Sequence, residues 1–99
     1  MRLVRRPTFS RDLAKGYAHF RAHSPNAAEN FLQDVDSALE LLLQFPSSGS
    51  PRPDLREGYR AAQVRRFRYL ILYRLAGEDI VLLRIVHGAR HLPNVLPKD

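Results

Sequence analysis

Ninety-nine residues, 44% of them hydrophobic, make one domain with one core and leave no room for a nucleotide-binding fold plus a second domain. Cysteine is absent, which excludes a disulfide or a thiolate metal site and fits a reducing compartment. The net charge of +6 is lopsided: residues 1–49 carry six basic and five acidic groups, residues 50–99 ten and five, and 14 of the 16 cations are arginines. Arginine grips phosphate or carboxylate in two places, so the basic second half points to a polyanion or an acidic protein segment. The start of the chain shows no apolar stretch of signal-peptide length, and no run reaches the ~18 apolar residues of a membrane span. A cytoplasmic protein with no membrane partner is expected.

Residues 2–5 read as an edge strand ahead of Pro7. Phe9, Leu13, Tyr17 and Phe20 then recur at helical spacing on one face, with Thr8 or Ser10 available as a cap. Ala22-His23-Ser24-Pro25 interrupts this helix; Ser24 is an N-cap with Pro25 at the first helical position. The second helix is expected over 25–44, with Ala28, Phe31, Leu32, Val35, Leu39 and Leu42 inward, and Phe45-Pro46 closes it. Residues 46–58 are rich in turn formers. Tyr59–Phe67, Tyr69–Leu75 and Ile80–His87 are strand-like, with Ala76-Gly77-Glu78-Asp79 as a hairpin turn. The order β-α-α-β-β-β predicts an α+β fold, with residues 2–5 as an N-terminal edge strand and the two helices as an antiparallel hairpin covering one face of the sheet.

Strand parity adds an expectation. Tyr69, Ile71 and Tyr73 share one face and Leu70, Leu72 and Arg74 the other; Val81, Leu83, Ile85 and His87 share one face and Ile80, Leu82, Arg84 and Val86 the other. One helical hairpin covers one face. The other should expose leucines interleaved with Arg74 and Arg84, a surface suited to an apolar partner segment bearing carboxylates, unless residues 46–58 and the C-terminal tail fold over it.

Five segments in this order resemble the RelE/ParE superfamily of type II toxin–antitoxin toxins, the ParE (plasmid stabilisation) branch above all. They are Ala28-Glu29-Asn30-Phe31-Leu32; Leu43-Gln44-Phe45-Pro46 with Gly49; Asp54-Leu55-Arg56-Glu57-Gly58-Tyr59-Arg60; Tyr69-Leu70-Ile71-Leu72-Tyr73-Arg74; and Leu83-Arg84-Ile85-Val86-His87-Gly88-Ala89-Arg90. The likeness covers nearly the whole chain, residues 1–99, with 88–99 as a tail. It implies a helical hairpin packed on one face of a twisted antiparallel sheet, and an antitoxin whose acidic, amphipathic C-terminal segment wraps the toxin. It also implies growth inhibition by binding DNA gyrase or, in RelE-like relatives, by cutting messenger RNA on the ribosome. On that reading Leu70, Leu72, Arg74, Leu82, Arg84 and Val86 meet the antitoxin, and Arg60, Arg66, His87 and Arg90 meet the target.

Ribonuclease chemistry needs a base, an acid and a cation for the phosphorane. Arg60, Arg84 and His87 are the candidates, with Tyr69 and His91 as further proton carriers. RelE-like nucleases also carry lysines, or a Glu/His/Tyr set, on the central strands and C-terminal tail; here the second half has only Lys98 and no Tyr follows His87, so a non-enzymatic toxin is the favoured expectation. His87 is alternatively a core-edge histidine, and Arg60 a structural partner of Asp54 or Glu57. No cofactor is expected. His19/His23 and His87/His91 have chelating spacing, but no carboxylate is placed to complete a metal site.

Overall fold

The computed structural model describes residues 1–88. Strand β1 (Arg2–Arg5) leads into helices α1 (Pro7–Arg21) and α2 (Pro25–Gln44). Strands β2 (Ser50–Pro51), β3 (Tyr59–Val64), β4 (Tyr69–Ala76) and β5 (Asp79–His87) follow. They form one five-stranded sheet in the order β1-β5-β4-β3-β2.

The expected order of elements is found, with two differences in the sheet. The β2–β3, β3–β4 and β4–β5 pairs are antiparallel, but β1 runs parallel to β5, with Arg2 opposite Asp79 and Arg5 opposite Leu82, so the sheet is mixed. The helical hairpin carries the chain back to the starting end before the later strands begin, and a four-residue strand has no pattern that encodes its direction. The added strand, β2, lies in the turn-rich connector and pairs with only Arg60 and Ala61.

Local signals explain the helices. Pro7 opens α1 at a position where its missing N–H costs nothing. Neither expected cap acts: Arg6 holds the N-cap position without a side-chain bond, and the Thr8 hydroxyl instead donates to the Leu83 carbonyl at 2.7 Å. Ser24 does cap α2, accepting from the Ala27 N–H at 3.0 Å. The helices cross closely at Gly16, where an added Cβ would lie 2.6 Å from the Phe31 ring. Between the helices and the sheet sits the main core, which includes Phe9, Phe31, Val35, Leu39, Leu42, Ile71, Tyr73, Ile80, Leu82 and Ile85.

The second face of the sheet departs from expectation. Tyr59, Ala61, Leu72, Val81, Leu83 and Val86 form a second buried cluster, with Leu72 and Leu83 fully covered. Of the leucines expected to lie bare, Leu72 and Leu82 are therefore buried and Leu70 is half-buried. The connector contributes to this cover, since Leu55 packs on the cluster. The tail that the sequence offered as further cover, residues 89–99, lies outside the described residues.

A β-bulge explains why simple alternation fails in β5. Leu72 is opposite Arg84 and Tyr73 opposite Leu82, so Leu83 is the extra residue. Alternation restarts after it. Ile80 and Leu82 face the helices and so does Ile85, while Val81, Leu83 and Val86 face the other way. Leu82, grouped by parity with Arg84 and Val86, thus belongs to the helix-side core and is 0% exposed.

Candidate functional site

The arginines expected to act on a partner are best judged by what already holds them. Among the described residues, the outer edge of β5 beyond Leu82 has no strand beside it, because β1 ends at Arg5. Side chains of α1 take over. Thr8 bonds the Leu83 carbonyl, and the Asp12 carboxylate accepts from the Ile85 N–H at 3.0 Å. Asp12 also receives the Arg84 guanidinium in a two-point pair, at 2.6 Å from Nε and 3.0 Å from Nη2. Both partners are largely buried, so this bond locks the edge. Arg84 is committed to it rather than displayed on a bare sheet face.

Arg60 is likewise engaged, though not as expected. Its Nη1 donates to the carbonyls of Ser47 and Gly49 at 2.9 and 2.8 Å. The expected clamp on Asp54 is made by Arg52 instead, with contacts of 2.7 and 3.0 Å. Tyr73 secures the same loop from beneath. Its hydroxyl donates to the Pro46 carbonyl at 2.8 Å and accepts from the Gly49 N–H at 2.9 Å. Burial pushes this phenol above its ordinary pKa. Arg74, on the second face, is half-buried, and its Nε is buried with no hydrogen-bond partner.

At the opposite end of the sheet Arg66 pairs with Asp34 of α2, at 2.8 and 2.9 Å. These hydrogen bonds raise the Arg66 pKa, and the Asp34 charge adds to the effect. Arg66 is the described non-glycine residue with a left-handed backbone, at φ 69°. His87 is half-buried with its ring 5.5 Å from that of Tyr69, which in turn meets Phe20 and Phe31. Arg66 and His87 therefore share one end, Arg60 lies at the β2 side, and Arg90 and His91 fall outside the described residues. No group of three or more His, Cys, Asp or Glu side chains among the described residues could hold a metal ion. No helix of the described residues is long and apolar enough to cross a membrane.

Sequence reasoning missed the acids. Asp12 follows Phe9 by three residues and Asp34 follows Phe31 by three, which places each carboxylate on the inward stripe of its helix. An acid on an apolar stripe requires a cation, and that signal was available. The reading also missed the exposed end of α2. Leu41 and Phe45 are 51% and 59% exposed, four residues apart on one side of the helix. Leu41 also lines a recess of about 450 Å³, together with Ala38, Leu42, Ala61, Gln63 and Leu70 among others. Leu70 alone of the expected antitoxin-facing set lines it.

With this geometry in place, comparison with known proteins gives a consistent result. Residues 3–92 match the family model described as the ParE toxin of the type II toxin–antitoxin system, parDE. Toxin ParE3 of Caulobacter vibrioides is 42% identical over 67 residues, 68% of this chain; the match spans 65% of that relative's length. Toxin ParE2 of Mycobacterium tuberculosis is 27% identical over 89% of this chain and 81% of its own. Among solved structures, the chromosomal ParDE system of P. aeruginosa superposes with a TM-score of 0.76 at 27% identity, covering 88% of this chain and 95% of that one. YafQ of E. coli shares the fold, with a TM-score of 0.64 at 17% identity over 88% of this chain and 92% of its own.

Proposed function

Because this chain belongs to the ParE toxin family of type II toxin–antitoxin systems, we propose that it arrests growth in the cytoplasm by binding DNA gyrase, without catalysis, and is neutralised by a cognate antitoxin. The observation that carries the choice against RNA cleavage is the engagement of the sheet's arginines. A phosphorane is stabilised by preorganised donors aimed at its developing charge, not at groups of the protein itself. Arg84 is held by Asp12 and Arg60 by two carbonyls of its own fold. Of the ribonuclease set, His87 remains as a proton carrier with no uncommitted cation from that set beside it. Of the expected target-facing residues, Arg66 and His87 lie together at one end of the sheet and Arg60 at the other.

The antitoxin reading shifts from the sheet face to its border. Leu72, Leu82 and Val86 are at most 2% exposed and offer little surface to a partner. The stripe of Leu41 and Phe45, with the adjoining recess and Leu70, offers it instead. Among the described residues, β3 beyond Ala61 pairs on one side only, with β4. An acidic, apolar antitoxin segment laid there meets backbone groups and apolar side chains together.

Purified gyrase tests the first claim. Supercoiling should fall on addition of this protein while RNA translated on ribosomes stays intact; ribosome-dependent cleavage with gyrase unaffected would overturn it. Co-expression tests the second. Leu41→Asp with Phe45→Asp should leave the chain toxic but no longer rescued by its antitoxin, and undiminished rescue would move the docking site elsewhere.

A further inference from the structure

The turn joining β3 to β4 is Arg65-Arg66-Phe67-Arg68, and its three arginines are exposed. The ends of α1 and β5 come to the same place. The Phe20 ring lies 4.9 Å from that of Phe67, and the Gly88 N–H donates to the Arg68 carbonyl at 2.7 Å. A neighbouring recess of about 290 Å³ is lined in part by Asp12, Lys15, His19, Tyr69, Arg84 and His87. The carboxylates facing this region are already paired, Asp12 with Arg84 and Asp34 with Arg66. Lys15, Arg65 and Arg68 are outside the ion pairs among the described residues, and all three are exposed.

The turn is also held still. Asp34 pins Arg66, and Phe67 packs edge-on against Phe31 at 5.6 Å. Arg65 and Arg68 therefore project from a fixed backbone. What surrounds them is informative as well. The large exposed hydrophobics, Met1, Leu41, Leu43 and Phe45, lie beside β1 and at the far end of α2, away from these cations. A protein partner gains most from an apolar centre, whereas a polyphosphate gains from solvated charge alone.

We propose that this end of the molecule binds the phosphodiester backbone of nucleic acid, with Lys15, Arg65 and Arg68 as the phosphate-contacting cations. The binding is independent of sequence, because side chains on phosphates read charge and not base edges. It stands apart from the gyrase reading, since it is measured with toxin and nucleic acid alone.

The test is fluorescence anisotropy of the full chain with a short DNA duplex, a single-stranded RNA and polyglutamate, each over a range of salt. Affinity for nucleic acid should fall with salt. Arg65→Ala/Arg68→Ala should lower the log–log salt slope by about two for duplex DNA, roughly 0.9 for each phosphate no longer neutralised, and Lys15→Ala by about one. Arg2→Ala/Arg5→Ala removes the same charge from β1 and should leave the slope nearly unchanged. Thermal melting of each variant establishes that it is folded. Preference for the duplex or for RNA identifies the source of the backbone. Equal losses in the two double variants, equally tight binding of polyglutamate, or no salt-dependent binding would overturn the proposal.

Discussion

The turns at the two ends of β4 solve the same problem with opposite chemistry. At one end Gly77-Glu78 reverses the chain, with Gly77 at φ 59° where a side chain is strained. The surface there is acidic, with Glu78 exposed and Asp79 in an ion pair with Arg2 at 2.9 Å. At the other end Arg66 takes the left-handed position, at φ 69°, without glycine's freedom. There the surface is basic, and the buried carboxylate of Asp34 holds the strained residue in place. One turn is shaped by the backbone preference of a single residue. The other depends on a side chain 32 positions away in sequence, an arrangement that keeps charge at its tip.

That contrast can be broken most sharply at Asp34. Asp34→Ala removes the clamp and leaves Arg66 strained, so Tm should fall by about 5–10 °C, the scale for losing a charge-assisted bond in a small domain. In that background Arg66→Gly should restore part of the loss, because glycine accepts the backbone conformation once the ion pair is gone. A further fall on adding Arg66→Gly would show that the conformation itself carries no strain. Gly77→Val probes the other end. A Cβ there meets nothing within 4 Å, so the cost is conformational alone, about 1–2 kcal/mol by denaturant unfolding. The smallest effect belongs to Arg2→Ala. Its guanidinium is 77% exposed, and screening leaves such a pair little to contribute. Hydrogen bonding to Arg2 lowers the Asp79 pKa, so the pair's contribution is present above the ordinary carboxylate pKa and fades as pH falls through the lowered value. Acid titrations of Arg2→Ala and the parent chain should differ slightly, and only in that window.

Much of the fold was legible because its signals are local. Ser24-Pro25 starts α2, Phe45-Pro46 stops it, and Gly77 marks the hairpin, each by the preference of one or two residues. What escaped notice was set by contacts distant in sequence. Val81-Leu82-Leu83 is continuously apolar, so either parity fits, and the bulge at Leu83 left no mark in the pattern. The direction of β1 follows from where the helical hairpin returns the chain. Arg60 and Arg84 were legible as cations but not as occupied ones, since their partners, Gly49 and Asp12, lie 11 and 72 positions away. The candidate site was therefore read correctly in charge and misread in availability.

The lock on the edge of β5 has a consequence for behaviour at high concentration. Exposed strand edges are where folded proteins recruit copies of themselves. Here β1 is short and bears arginines at both ends, Thr8 and Asp12 occupy the edge beyond it, and Pro51 removes a donor from β2. Among the described residues, the remaining one-sided run is the far half of β3. A sheet that can be extended on one flank alone makes a pair and then stops. Growth into fibrils requires two open flanks, and among the described residues the second is withheld.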